Sequence, residues 1–458
     1  MKRFVLAVLL FLVPWSAFAQ SYPHEPQSEG LNVTGANAGA IHGGAVNNLF
    51  AAPPTIGGGL FFGSTYGVSS TNADNAAFIN AAEADAYAAG GGEVFLPVGV
   101  IKSGQISKLS KVHLKGFARD STVIKLINGA NTDLVLGLGS NALWGTNSTG
   151  GTTNWEISDL TLDGNMANNT SGSCLAVYAY KYRLTNIKIQ NCANYGWRSE
   201  WSSVGTVAPD AEVSDVFIQT TGWDGHSFNG PSDSNIHDLV IADAGTATSH
   251  TYAGLHIVGS GARWSGVHVY HISATNLMKY CLNDSGAGSQ FENSHFEGCD
   301  IPGYLNGPSS QYADTVLFFN TLTGPDVIIN QPIVFKGTII AGPFDVVHTG
   351  IVIGDGTGNA GSYVIDSQVF GNMTNIADFT HDLGNGKARI TAFCFSTTCN
   401  VAGTPAWSDQ IEIQAVGSVG ASPYLFQFPT LALPAMPTSC TGKPAGTLWN
   451  SSGTVHVC

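Results

Sequence analysis

The feature that most limits what this chain can fold into is an internal repeat. An apolar residue, any residue, then Asp, Asn or Gly, followed by an alternating segment, appears as Ile157-Ser158-Asp159-Leu160-Thr161-Leu162 and again as Leu184-Thr185-Asn186-Ile187-Lys188-Ile189. Val213-Ser214-Asp215-Val216-Phe217-Ile218 and Ile236-His237-Asp238-Leu239-Val240-Ile241 follow, with looser copies centred on Gly266 and Asn293. Successive third positions lie 27, 29, 23, 28 and 27 residues apart, and weaker echoes fall at Gly337 and Asp366. Strands this short cannot bury a face alone, so the units must stack. A rung of 23–29 residues without helical periodicity suits a parallel β-solenoid. A propeller blade needs about 40–45 residues, and the leucine frame of a leucine-rich repeat is missing. The expected fold is all-β, a right-handed parallel β-helix. Composition agrees: 11% charged residues are too few to coat many amphipathic helices, while 56 glycines supply turns and close backbone approaches.

The repeat frame predicts the disulfides. Cys192 and Cys299 each stand six residues after a frame position, and each has a partner 18 residues earlier, Cys174 and Cys281. The two pairs sit four rungs apart, roughly 19 Å at about 4.8 Å per strand, beyond the reach of about 7 Å between the Cα atoms of a bridge. Cys174–Cys192 and Cys281–Cys299 are therefore expected, with Cys394–Cys399 closing a small loop and Cys440–Cys458 stapling the tail. Such a framework belongs to an oxidising compartment.

The ends of the chain read differently. Lys2-Arg3, an apolar run over Phe4 to Val13, and Ala17-Phe18-Ala19 form an export signal over 1–19, so the mature chain is expected to be secreted or periplasmic. Residues 20–64 form an N-terminal segment, 65–400 the β-helix and 401–458 a linker and C-terminal tail. Asp74 is placed to cap a helix whose apolar stripe is Ala76, Phe78, Ile79, Ala82 and Ala86, ending at Gly90-Gly91-Gly92 and covering the open first rung. Losing Lys2 and Arg3 takes the formal charge from −14 to about −16. That balance disfavours nucleic acid and anionic membranes, and no later segment is apolar for long enough to span a bilayer.

The helix followed by Gly90-Gly91-Gly92-Glu93-Val94-Phe95-Leu96-Pro97-Val98-Gly99 resembles the opening of the pectate-lyase superfamily of β-helix proteins. Lys111-Val112-His113-Leu114-Lys115-Gly116 and the stretch from Ile157 to Asn165 are similar to that family's first rungs, and the likeness covers about residues 65–300. It implies the fold. Function is less constrained, because lyases, hydrolases, epimerases, phage tailspikes and adhesins share the scaffold. Of the motifs of the polygalacturonase-type hydrolases, only Asp224-Gly225-His226 is faintly similar, and the clustered acids and arginine base of calcium-dependent pectate lyases are not evident.

Alternate strand residues point outward, and equivalent residues on adjacent rungs lie about 5 Å apart. After the frame position, one outward column reads Thr161, Lys188, Phe217, Val240, His268, His295 and the next Asp163, Gln190, Gln219, Ala242, Tyr270, Glu297. His268 and His295 should therefore be neighbours, with Tyr270 and Glu297 beside them. Aligning Gly196, Gly225 and Gly254 places Arg198, Ser227 and His256 in one outward column and Glu200 and Asn229 in the next, with Trp201, Trp223, Asp224 and His226 nearby. The Asp/Asn column itself reads as structural, since short polar side chains at bends bond local backbone. Asp163 reads as a turn residue, His226 has inward parity, and Trp197 and Phe228 belong in the core.

Carboxylates beside aromatic rings suit glycan cleavage, because an acid must protonate the leaving oxygen while flat rings pack on sugar faces. The expected function is cleavage of a polysaccharide in a groove on the β-helix face, hydrolysis being preferred and elimination close behind. Candidate catalytic residues are Glu200, Asp224, His226, His268 and Glu297. Candidate substrate-binding residues are Arg198, Trp201, Trp223, His256, Tyr270 and His295. No metal ligand set is assigned from the sequence, and calcium enters only with elimination. The rival is a non-catalytic glycan-binding β-helix, an adhesin or tailspike. Monomer and homotrimer both fit.

Overall fold

The computed structural model describes residues 59–138, 151–200, 210–259, 261–272, 278–320, 325–342, 348–354, 364–371, 373–379, 387–394, 400–403, 410–416, 448–451 and 454–457. The export signal over 1–19, the Cys394–Cys399 and Cys440–Cys458 pairs, and Trp201 fall wholly or partly outside these residues.

The repeat becomes a right-handed parallel β-helix. Two stacks of strands run its length, a wide sheet of 20 strands and a narrow sheet of 13. Every pairing in both sheets is parallel, and the register is in step over many rungs: Leu160 faces Ile187, Ile187 faces Val216, and Val216 faces Leu239. The frame residues mark a corner of each rung. Asp159, Asn186, Asp215, Asp238, Gly266 and Asn293 all adopt the left-handed conformation, with φ between 49° and 61°. Glycine has no Cβ penalty there, and Asn and Asp tolerate it better than other residues do. The first step of this ladder is also bonded, since Asn186 Nδ2 donates to Asp159 Oδ1 at 2.8 Å. Two departures from the frame appear. Asp314 (φ 47°) supplies a bend the spacing does not predict, whereas Asp366 lies inside the strand Val364–Gly371 and makes none.

Inward residues stack because parallel strands hold them in register. Trp264, Phe291 and Tyr312 form a ladder with near-parallel rings 5.6 and 5.3 Å apart, all but fully buried. Each such side chain contributes about 1.5–3 kcal/mol by leaving water. Trp197 and Phe228 are core, as their parity requires. Gly196 and Gly225 lie where a Cβ would collide with the Cγ2 of Ile218 and of Ile241, so only glycine admits the opposite wall.

The cap forms as Ala76–Ala88. Asp74 Oδ1 accepts from the N–H of Ala76 and of Gly104, both at 2.8 Å, joining the helix start to the first rungs. Ile79, Ala82 and Ala86 are buried as expected, but Phe78 is turned to solvent and Glu83 takes the inward place, bonded to Lys108 Nζ at 2.8 Å. Both expected solenoid disulfides are present, Cys174–Cys192 and Cys281–Cys299, with Cα separations of 5.4 and 5.5 Å. In the tail, Leu448–Ser451 and Thr454–Val457 pair antiparallel. No helix among the described residues is long and apolar enough to cross a membrane.

Candidate active site

The outer face of the narrow sheet carries the strongest convergence of chemistry. Its middle strands are Trp197–Glu200, His226–Asn229, Ala253–Ile257 and Tyr280–Asp284. Register places Arg198 beside Ser227, Ser227 beside His256, and His256 beside Asn283, while Glu200 sits beside Asn229. The columns read from the glycine alignment are therefore the observed ones. A groove of about 400 Å³ lies over them, walled also by Tyr195, Tyr252 and Tyr280.

Two carboxylates face this groove, and both already accept hydrogen bonds. Arg198 Nη2 donates to Glu200 Oε1 at 2.7 Å, and the glutamate is only 5% exposed. Asp224 Oδ1 accepts from the N–H of Ala253 at 2.8 Å, while its Oδ2 lies 2.9 Å from His256 Nδ1. Asp224 accepts from Nδ1–H, which in the neutral ring leaves the lone pair on Nε2. Asp224 can hold this position because its own backbone bridges rungs, its C=O accepting from Gly196 N–H.

Aromatic rings complete the wall. The Arg198 guanidinium lies 5.8 Å from the centre of the Tyr195 ring, which meets Trp223 edge-on at 5.1 Å, and Trp223 stacks on Tyr252 at 6.0 Å. Burial, and next the charge of Asp224, push the Tyr195 hydroxyl above its ordinary range, with Arg198 pulling the other way. The tyrosine thus keeps its proton at neutral pH. Tyr195 and Tyr252 lie off the strand columns, and Tyr280 opens the strand Tyr280–Asp284, one rung past the aligned glycines. Tyr195 and Tyr252 stand one and two residues ahead of the aligned glycines Gly196 and Gly254, on the turns entering the strands.

The other candidates lie elsewhere. His226 is fully buried, its ring stacked on Trp197 at 3.7 Å inside the helix, so it does not face the groove. His268, His295, Tyr270 and Glu297 come together as expected, but on the wide sheet. Asp163 is a turn residue: Oδ1 accepts from Asn165 N–H at 2.8 Å and Oδ2 from Gln190 Nε2 at 2.9 Å. A larger groove of about 520 Å³ borders Lys111, His113, Glu156, Lys181 and Arg183. Its charges pair along the strand ladder, with His113 3.2 Å from Glu93 and 3.6 Å from Glu156, and Glu156 3.9 Å from Arg183. Volume alone does not make that groove a site. The narrow-sheet groove is smaller but aims a carboxylate–imidazole pair, a guanidinium and a phenol at one space.

No family model matches the chain. Over 107 residues it is 43% identical to the mannuronan C5-epimerase AlgE2 of Azotobacter vinelandii, a match covering 22% of this chain and 10% of that protein. It is 42% identical to AlgE5 of the same organism over 107 residues, again 22% and 10% of the two chains. The matches thus span about a tenth of these relatives. Among solved structures, the A-module of the A. vinelandii mannuronan C-5 epimerase AlgE6 superposes with a TM-score of 0.58 at 15% identity, over 79% of this chain and all of that module. A double mutant of the tailspike protein of E. coli bacteriophage HK620, in complex with a pentasaccharide, superposes with a TM-score of 0.51 at 12% identity, covering 74% and 64%. At these identities the likeness is one of fold, the right-handed parallel β-helix.

Proposed function

We propose that the chain is an exported enzyme acting on a uronate-containing polysaccharide in the narrow-sheet groove, by removing the proton at C5 of the sugar. The observation that carries this reading is the Asp224–His256 pair lining one groove with Arg198 and Tyr195. The C5 proton of a uronate is acidified when a cation neutralises the sugar carboxylate and stabilises the enolate that forms. Arg198 supplies that charge while it stays bonded to Glu200. His256, oriented through Nδ1 by Asp224, offers Nε2 as the base. Tyr195, held protonated, is the second proton-bearing group lining the groove, and in this reading it is the one that returns a proton. Return to the opposite face inverts C5; loss of the C4 substituent instead breaks the chain. The mannuronan C5-epimerase names of the matched relatives favour inversion.

Hydrolysis by Glu200 and Asp224 asks more of this geometry. It requires one carboxyl group to carry a proton toward the leaving oxygen, whereas both oxygens of Asp224 accept from donors and Glu200 is bonded to Arg198. No step here runs through a metal.

The test is incubation of the full chain with polymannuronate in D₂O. Deuterium entering C5 without chain cleavage, read by proton NMR, is the expected result. An unsaturated product absorbing in the ultraviolet assigns the groove to elimination. New reducing ends with neither signal, or tight binding without any product on a panel of acidic and neutral glycans, overturns the C5 reading.

A further inference from the structure

On the wide sheet, away from the groove, His268 and His295 are register partners in adjacent parallel strands, and Glu297 follows two residues later on the same face. The imidazole rings are nearly parallel, 6° apart in orientation, with centroids separated by 5.0 Å. His268 Nε2 lies 3.0 Å from Glu297 Oε1, and His295 Nε2 lies 3.6 Å from Oε2 of the same carboxylate. One nitrogen from each ring and one carboxylate oxygen fall within 4.8 Å of one another, and among the described residues this is the one group of three such donors.

We propose that His268, His295 and Glu297 form a binding site for a divalent transition-metal cation of the zinc class. Three observations carry it beyond a chance meeting of surface polar groups. His295 Nε2 is buried yet has no hydrogen-bond partner, because 3.6 Å to the carboxylate is too long for one. On the outer rungs the register neighbours are apolar, Val240 beside His268, Val316 beside His295 and Phe318 beside Glu297, and the one polar neighbour on the paired strand is Tyr270, whose ring packs against His268 at 4.7 Å. The supporting strand is also fixed: His295–Cys299 ends at the cysteine bridged to Cys281.

The donor set defines the cation. Two imidazole nitrogens and one carboxylate oxygen suit zinc, copper or nickel, and not calcium or magnesium, which prefer oxygen alone. Zinc–nitrogen bonds of about 2.0–2.1 Å place ligand atoms roughly 3.3 Å apart in a tetrahedron. The observed spacing reaches that by small side-chain rotations, with Glu297 already between the rings. Water takes the fourth position, and the bound ion joins two successive rungs. The acidic chain, with a net charge of −14, concentrates cations at its surface. This site is independent of the groove chemistry and stands or falls separately from it.

The experiment is calorimetric titration of the tag-free, chelator-treated full chain with zinc chloride. One saturable equivalent is expected, with a rise in thermal midpoint. His295→Ala and Glu297→Gln should each weaken binding by at least about tenfold, while His256→Ala leaves it unchanged. Cobalt in place of zinc should give the d–d absorption of a nitrogen- and oxygen-ligated ion, a readout on the unaltered chain that needs no variant to fold. No saturable site, or a site retained in the His268→Ala/His295→Ala double variant, overturns the proposal.

Discussion

Single residues decide the groove's chemistry through the bonds they already make. In the C5 reading His256 is the base and Asp224 its positioning partner, so their removal should differ in kind. His256→Ala should lower turnover by about 10²–10⁴, the usual worth of a positioned general base, with little change in folding, since the side chain is partly exposed at the groove. Asp224→Asn should lower turnover as well and change its pH profile, because an amide can present its N–H to Nδ1 and favour the wrong tautomer. Steady-state kinetics on polymannuronate across pH separates the two. A His256→Ala variant with unchanged turnover would falsify this assignment. At the corners of the rungs, the frame residues make a different prediction. Asp238 holds φ at 55°, which a β-branched side chain resists, so Asp238→Val should cost about 1–2 kcal/mol. Asp238→Gly should cost less, and urea unfolding of both variants measures the difference.

At the scale of elements, the chain's own period reveals most of the scaffold. Equivalent residues sit one strand spacing apart, so a spacing of 23–29 residues in sequence becomes a column in space. That is why the glycine alignment recovers the pairing of Arg198, Ser227 and His256, and why Cys174–Cys192 and Cys281–Cys299 follow from the frame. The period says less about residues off the columns. Tyr195 and Asp224 reach the groove from turns, where side-chain direction depends on local dihedrals and not on parity. Asp366 matches the motif yet lies in a continuous strand, because a pattern of three residues does not by itself impose a bend. The capping helix shows the same limit, since its inward Glu83 is legible only once Lys108 is seen to be its partner. Burial pushes the Glu83 carboxyl up and the Lys108 ammonium down, and their mutual contact opposes both shifts. Both side chains are fully buried, so Glu83→Leu strands Lys108 without a counter-charge and should destabilise the fold by about 3–5 kcal/mol. Glu83→Leu combined with Lys108→Met should recover most of that loss. If thermal unfolding shows the double variant no better than the single, the pair is not what joins the cap to the first rungs.

For the molecule as a whole, stability against pH is set by titratable groups sealed inside the solenoid, and they act in opposite directions. His226 is fully buried against Trp197, and burial drives its imidazole well below the ordinary value of 6.5. The unfolded chain takes up that proton first, so His226 stabilises the fold above about pH 6.5, and the contribution is lost as pH falls. Asp326 behaves in reverse. Burial raises its carboxyl from 3.8 to about 6, with the contact to His348 opposing the rise. The folded state therefore holds this proton longer, and the associated stability, complete below about 3.8, is lost as pH rises through about 6. The two contributions can be separated by substitution. His226→Phe keeps an aromatic ring on Trp197 and should flatten the acid side of the stability profile. Asp326→Asn should remove the opposing contribution between about 3.8 and 6, so that stability falls more steeply with acid than in the parent, and should leave the profile above about pH 6 flat as before. Thermal midpoints of the full chain and both variants between about pH 4 and 8 test the assignment. An acid slope that survives in His226→Phe would show that groups on the surface, and not this buried histidine, govern how the solenoid meets acid.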